Sequence, residues 1–182
     1  MTATPQTTTK WKIDPAHSEI QFKVKHLMIT TVTGYFTRFN LEVETEGTDF
    51  TRASHILFTA DIDSINTNNA QRDTHLKSPD FFDAQTHAQL RFKGRHFEES
   101  GDDYLLHGDL TIRDVTRPVT VKVDFAGTVM DPYGQTKAGF TINGKISRKA
   151  FGLTWDAVTE AGAVVVSDEI RLHAEVQLVK EA

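Results

Sequence analysis

A short run of basic side chains is the first feature of this sequence that points to chemistry. Arg72, His75 and Lys77 lie close together in a polar stretch, and Arg72 and His75 have the spacing that puts two side chains on one helix face. Such a group can hold a phosphate or a quinone oxygen. The alternative is structural: Arg72 pairs with Asp73 or with an acid on a strand and ties the stretch to the rest of the fold.

Catalytic and metal-binding motifs are not found. Asp14, His17 and Ser18 are close in sequence, but a catalytic triad is defined by geometry, so this clustering is no evidence for one. No nucleophile elbow, phosphate-binding loop or dinucleotide-binding glycine motif occurs. The eight histidines are scattered without metal-ligand spacing. The sequence therefore predicts no catalytic residue, no metal and no cofactor.

Composition excludes further classes of function. The chain has 182 residues and a net charge of −5, from 20 Lys and Arg against 25 Asp and Glu. No basic stripe is present, which argues against nucleic-acid binding. The absence of cysteine excludes disulfides and thiolate metal sites. No apolar run reaches the roughly 18 residues that a membrane-spanning helix needs.

The N-terminal residues predict a location. Residues 1–9 are polar and uncharged, with neither the basic nor the apolar region of a secretory leader. We expect a flexible tail over residues 1–9, one domain over residues 10–182, and a cytoplasmic protein.

Alternation of apolar and polar residues is the strongest structural signal. A period of two gives a strand one buried and one wet face. It recurs at Ile20–Val24, Phe39–Val43, Ile56–Ile62, Leu106–Ile112, Val119–Phe125, Phe140–Ile146 and Ile170–Leu178. Turn-forming residues lie between runs, at Glu46–Thr48, Ser100–Asp103, Arg117–Pro118, Asp131–Gly134 and Glu160–Gly162. These spacings predict an all-β, antiparallel barrel of about eight strands.

Two stretches break the alternation. From Ile65 to Asp83 we expect a short helix over Ala70–Leu76, N-capped by Asn66, Thr67 or Asn68. Ser78-Pro79 would then open a second helical turn carrying Phe81 and Phe82. From Leu27 to Gly34 we expect an irregular rim at the mouth of the barrel.

Four segments, taken together, carry a family resemblance. WKIDPAHSEIQFKVKH (Trp11 to His26) with Gly34-Tyr35-Phe36, SINTNNAQRDTHLKSPDFFD (Ser64 to Asp83), LTIRDVTRPVTVKV (Leu110 to Val123) and GFTINGKISRKAFG (Gly139 to Gly152) occur in order. The chain resembles the YceI-like polyisoprenoid-binding family over Trp11 to Val179. It departs from the family's pattern at Thr86-His87, where Tyr-Pro is common, and in lacking the leader that many members have.

The resemblance implies a lipocalin-like barrel with a short helical insertion, often as a homodimer. It also implies an apolar pocket for a polyisoprenoid, a prenyl phosphate, an isoprenoid quinone or a fatty-acid derivative. The protein would carry, store or sense that ligand. The sequence leaves two alternatives open: an enzyme that acts on a bound lipid, and a structural or interaction barrel without a ligand.

The abundance of phenylalanine predicts which residues line such a pocket. Twelve Phe occur, and several fall on inward faces of the predicted strands. The predicted lining is Phe22, Phe39, Phe58, Leu76, Phe81, Phe82, Phe92, Phe125 and Phe140, with Arg72, His75 and Lys77 at the head group. Ordinary core packing is the alternative for each phenylalanine.

Overall fold

The computed structural model describes residues 7–157 and 164–182. Within them the chain forms eleven strands, one α-helix and three short 3-10 helices (Pro15–His17, Ile62–Ser64 and Lys149–Phe151). The strands and the α-helix follow in the order β1 (Thr8–Ile13), β2 (Glu19–His26), β3 (Thr30–Phe36), β4 (Phe39–Glu46), β5 (Asp49–Asp61), β6 (Ile65–Asn66), α1 (Ala70–Lys77), β7 (Gln89–Ser100), β8 (Asp103–Ile112), β9 (Val115–Met130), β10 (Thr136–Ser147) and β11 (Glu169–Lys180). The predicted turn at Glu160–Gly162 and most of the predicted tail lie outside the described residues. The first strand starts at Thr8, which pairs with Glu46.

Eight of the strands close into a barrel. Their order is β1-β4-β5-β7-β8-β9-β10-β11, all antiparallel, and β11 returns to β1 with Trp11 opposite Lys180. The predicted antiparallel barrel is therefore confirmed. The remaining three strands extend the sheet from β11. The first half of β11 pairs with β2, β2 pairs with β3, and β3 pairs with β6. Closure leaves few sheet edges open to other chains.

The two ends of the barrel are built differently. Short hairpins join β4 to β5, β7 to β8 and β9 to β10 at one end, which we call the turn end. The opposite end, called the connection end, carries the two long crossings: residues 62–88, which include α1, and residues 148–168. No helix in the described part of the chain is long and apolar enough to cross a membrane.

Aromatic side chains fill the barrel toward the turn end. The indole nitrogen of Trp11 donates to the hydroxyl of Thr45 at 3.0 Å, and both residues are fully buried. Phe50 packs on Trp11 and on Phe140, with ring centroids 4.8 and 4.9 Å apart. A hydrogen-bonded indole inside an aromatic cluster closes this end of the interior.

Inward-facing glycines accommodate phenylalanine rings from neighbouring strands. The tip of the Phe22 ring rests on Gly34 of β3, and the Phe92 ring rests on Gly108 of β8, where a Cβ atom would collide with the ring. Each ring therefore leans against the barrel wall instead of reaching across the interior.

The stretch from Leu27 to Gly34 is not an irregular rim throughout, as we had expected. Thr30 to Phe36 form β3, because β-branched Thr and Val favour a pleated conformation. Gly34 stands in the inward row between Val32 and Phe36 and hid the alternation. Only Leu27, Met28 and Ile29 form the turn, in which Leu27 and Met28 have positive φ of 50° and 58°.

The helix is confirmed, but its caps differ from the prediction. Asn69, and none of the three predicted residues, accepts from the Arg72 amide and caps α1. Ser78 ends α1, since its amide and hydroxyl both donate to the His75 carbonyl. The predicted turn after it is present, because the Ser78 carbonyl accepts from the Phe81 amide at 3.0 Å, but residues 79–82 do not form a second helix. The turn predicted at Arg117-Pro118 is displaced, because both residues lie inside β9. The turn that joins β8 to β9 consists of Arg113 and Asp114.

Candidate functional site

Inward side chains lose their burial toward the connection end on one side of the barrel. On β11, Val176 and Leu178 are buried, whereas Ala174, Leu172 and Ile170 are half-buried although they face the same way. The same change occurs on β10, and β2 has only half-buried inward residues. We call the resulting set the mouth: Ile20, Phe22, Val24, Ile142, Ile146, Ile170, Leu172 and Ala174.

The mouth is apolar. All of its side chains are aliphatic or aromatic, and the outward positions between them carry the polar residues. An inward-facing, partly solvated row of this kind is suited to covering an apolar chain. Two open grooves have volumes of about 410 and 370 Å³, and the second is lined in part by Leu172 of the mouth.

Phe82 joins the helical insertion to the mouth. Its ring meets Phe36 edge-on at 6.3 Å, and Phe36 in turn contacts Phe22 at 5.7 Å. Leu76 of α1 is half-buried and packs against the same core. The insertion therefore lies over the barrel beside the mouth.

Phe81 points elsewhere. It is buried against His75, at 5.1 Å between ring centroids, and Trp155, at 5.4 Å. This aromatic cluster fastens the insertion to the second long crossing. The two adjacent phenylalanines thus pack in different places, Phe82 on the barrel core and Phe81 on the second long crossing. Alternation could not separate them, because this stretch is not a strand.

The remaining predicted lining residues fall into two groups. Phe39, Phe58 and Phe92 are half-buried and pack against the core. Phe125 and Phe140 stack at 5.0 Å within the turn-end cluster, and Phe140 is the inward residue of β10 directly before Ile142 of the mouth. Phe125 is also exposed, at a position close to a register shift between β9 and β10.

The three predicted head-group residues have separate surroundings. The Arg72 guanidinium donates to the hydroxyl of Thr67 at 2.8 Å and to its carbonyl at 2.6 Å, and the Thr67 amide donates to Asp73 at 2.9 Å. Arg72 therefore holds the loop before α1. His75 hydrogen-bonds Asp80 at 2.8 Å. Lys77 is half-buried, and its ammonium has no polar partner among the described residues.

The interaction that the sequence did not reveal is centred on Arg148. This side chain is only 2% exposed. Its guanidinium donates to the carbonyls of Leu153 and Trp155, both at 2.7 Å, and to those of Ser167 at 2.9 Å and Val166 at 3.1 Å. Arg148 thus clamps both arms of the second long crossing. Only its position between a strand and Phe151-Gly152 hinted at this role.

Asp168 supports the same clamp. Its carboxylate accepts from the Ser147 hydroxyl at 2.7 Å and from the Lys149 amide at 3.0 Å. Burial raises the pKa of this carboxyl, but these hydrogen bonds and the nearby Arg148 charge outweigh burial, and the net pKa is lowered. Asp168 is therefore ionised at neutral pH, and its charge balances that of the buried guanidinium.

The neighbouring phenylalanines provide a first test of this arrangement. We expect Phe81→Ala to lower the free energy of unfolding by about 3 kcal/mol or more, because it leaves a cavity between His75 and Trp155. Phe82→Ala, at a half-buried position, should cost less stability but weaken binding of a fluorescent long-chain probe. Urea unfolding and probe titration of both variants check this, and equal losses of both properties in the two variants would contradict it.

Comparison with known proteins agrees with this architecture. A UPF0312 protein of Staphylococcus epidermidis is 34% identical over 172 residues, covering 93% of this chain and 96% of that protein. Among solved structures, the Campylobacter jejuni YCEI protein is 29% identical with a TM-score of 0.73, over 87% of this chain and 90% of that one.

Two further structures share the fold at lower identity. Burkholderia cenocepacia BcnA is 23% identical with a TM-score of 0.76, over 91% of this chain and 98% of that one. A polyisoprenoid binding domain from Saccharophagus degradans is 13% identical with a TM-score of 0.65, over 94% and 98%.

A closed antiparallel barrel of eight strands with one short helical insertion defines a lipocalin-like architecture. The model of the YceI-like domain matches residues 11–178, and the chain belongs to this family. The family resemblance found in the sequence is therefore confirmed.

Proposed function

We propose that the barrel binds a long apolar or amphiphilic molecule, which enters through the mouth. Polyisoprenoids, prenyl phosphates, isoprenoid quinones and fatty-acid derivatives share the chemistry that the mouth would recognise. The observation that carries the proposal is the loss of burial along β10 and β11, where inward aliphatic side chains remain half-solvated. Carriage, storage and sensing are all compatible with such a site.

The family and the fold support this proposal. One structural neighbour is described as a polyisoprenoid binding domain, and it shares the barrel over 94% of this chain. Apolar burial contributes about 0.8 kcal/mol per methylene, so a chain of several isoprene units needs only a generic polar contact at its head. Lys77 of α1, whose ammonium lacks a polar partner among the described residues, is the residue that we propose for such a contact.

The experiment is extraction of the purified protein with organic solvent, followed by mass spectrometry. We expect prenyl, quinone or fatty-acyl species to co-purify, and a delipidated sample to take up a fluorescent long-chain probe. An empty extract together with no uptake of the probe would overturn the proposal. Turnover of an added prenyl diphosphate that is lost in His75→Ala would favour the enzyme alternative instead.

A further inference from the structure

We propose that the mouth side of the barrel docks on an anionic lipid surface, with the turn between β2 and β3 inserted and a row of cations facing the head groups. The inference rests on the proposed function in one respect: docking would let a ligand pass between bilayer and mouth without crossing water. A lipid surface of this kind has an apolar layer beneath negatively charged head groups, and the protein presents an apolar turn beside a row of cations.

The inserted element is the turn formed by Leu27, Met28 and Ile29, which we call the apolar tip. Met28 is 61% and Ile29 is 79% exposed. Leu27 and Met28 adopt positive φ, a conformation that hairpin turns usually give to Asn or Gly. The chain therefore holds large apolar side chains in water, on a backbone that disfavours them. Exposed apolar side chains on a strained backbone are typical of a site that binds another molecule or a membrane.

The second long crossing supports the apolar tip from one side. The Leu27 amide donates to the Val165 carbonyl at 2.9 Å, and His26 forms a bridge with Val166. Val164, next in the chain, is exposed and apolar. The tip is thus held to the clamp around Arg148, which also binds the Val166 carbonyl. A tip anchored in this way is preorganised for insertion.

The cationic row crosses three neighbouring strands. Lys145 on β10 is opposite Arg171 on β11, and Arg171 is opposite Lys23 on β2, all on the outer face. Like charges at directly opposite positions destabilise a sheet. Arg171 reaches Glu169 at 3.4 Å, whereas Lys23 and Lys145 have no acidic partner among the described residues. An open groove of about 370 Å³ runs beside the row, lined by Asn143, Gly144, Lys145, Arg171 and Leu172.

Charge around the tip and the row favours an anionic partner. The whole chain has a net charge of −5, so a basic region is not expected by composition. Among the described residues around the tip and the row, the cations outnumber the acids: Lys23, Lys25, Lys145, Lys149 and Arg171 against Asp156, Asp168 and Glu169. Lys25 and Lys23 lie on the same strand that leads into the apolar tip, so charge and apolar surface are continuous.

The position of the apolar tip relative to the mouth favours a lipid surface over a protein as the partner. Val24 and Ile170, two mouth residues, lie at the ends of β2 and β11 that lead to the tip and the crossing. Insertion of the tip would therefore turn the mouth toward the lipid. A protein partner would satisfy the exposed side chains, but the cationic row matches an anionic head-group layer directly.

The barrel supplies a matched control at its other end. The hairpin between β9 and β10 also exposes apolar side chains, with Val129 at 65% and Met130 at 72%. This hairpin lies at the turn end of the barrel, and Lys137 beside it is paired with Asp14 at 3.2 Å and Asp131 at 3.8 Å. Met28→Gln/Ile29→Gln and Val129→Gln/Met130→Gln therefore remove similar apolar surface from opposite ends.

The test is co-sedimentation of the full chain with vesicles of phosphatidylcholine, with and without phosphatidylglycerol. We expect binding to the anionic vesicles that weakens about tenfold in Lys23→Gln/Lys145→Gln. It should weaken at least about tenfold in Met28→Gln/Ile29→Gln. The Val129→Gln/Met130→Gln control should bind within about twofold of the wild type, since it leaves the proposed surface intact.

Three outcomes would overturn the inference. They are absence of vesicle binding by the wild type, equal losses in both tip and control variants, and a tip variant that changes only the oligomeric state measured by light scattering. The last would assign the tip to a second copy of the chain. Probe binding in vesicle-free solution is measured in parallel, and its failure alone would count against the proposed function and not against docking.

Discussion

Replacing Arg148 by methionine is expected to lower the free energy of unfolding by about 3–5 kcal/mol, which is the cost of removing one partner from a buried charged network. The guanidinium donates to four backbone carbonyls, on both sides of the undescribed residues 158–163. Methionine fills a similar volume but leaves these carbonyls without donors. Each unsatisfied buried carbonyl costs about 1–3 kcal/mol, although relaxation and water recover part of the sum.

Urea unfolding followed by tryptophan fluorescence measures this loss. Trp155 reports on the crossing itself, since its carbonyl is one of the four acceptors. Lys149→Met is the matched control: it removes an adjacent, exposed cation whose ion pair with Asp156 spans 3.2 Å, and should cost at most about 1 kcal/mol. Arg148→Lys should fall between the two, because an ammonium cannot reach four carbonyls in the planar arrangement of a guanidinium. A loss in Arg148→Met no larger than that of Lys149→Met would show that the clamp contributes little.

The second large effect is expected on ligand binding. Ala174 is a small side chain in the mouth, and its cross-strand neighbours are Ile20 on β2 and Ile142 on β10. Ala174→Phe would place a ring where the proposed ligand enters. We expect the affinity for a fluorescent long-chain probe to fall at least about tenfold, the equivalent of about 1.4 kcal/mol. Because the position is half-buried, the stability cost should stay near the low end of the 1–3 kcal/mol typical of overpacking.

His173→Phe is the control for the mouth variant. It adds the same ring one residue away, on the outer face, where the native imidazole hydrogen-bonds Asn143 at 2.7 Å. Probe affinity should remain within about twofold of the wild type, since the mouth is unchanged. Unchanged binding in Ala174→Phe, or equal losses in both variants, would place the ligand elsewhere.

Alternation predicted most of the barrel because it reports which face of a strand is buried. Phe39, Leu41 and Val43 illustrate this, since all three face the interior. Alternation failed where a ring on one strand packs over glycine on another: Gly34 interrupts the apolar row of β3 because Phe22 occupies the space above it. Such a compensating pair is a tertiary contact, and its two members are distant in the sequence.

The candidate site was less predictable for the same reason. Counting phenylalanines could not separate Phe82, which faces the core, from Phe81, which packs on Trp155. Nor could sequence spacing show that Arg72 would bind Thr67. The mouth emerges only from the difference in burial along β10 and β11. A cytoplasmic location and a homodimer stay predictions of the sequence and the family.

The pairing between β1 and β11 has a consequence for how the molecule is made. The first strand of the barrel closes on the last, with the Glu181 amide also donating to the Lys10 carbonyl at 2.8 Å. Until β11 has left the ribosome, β1 and β10 each present an unpaired edge, and the closing contact has the greatest sequence separation in the fold. Closure of the barrel therefore waits for β11 and is slowed by this distant pairing. The nascent barrel is most prone to aggregation just before its last strand arrives.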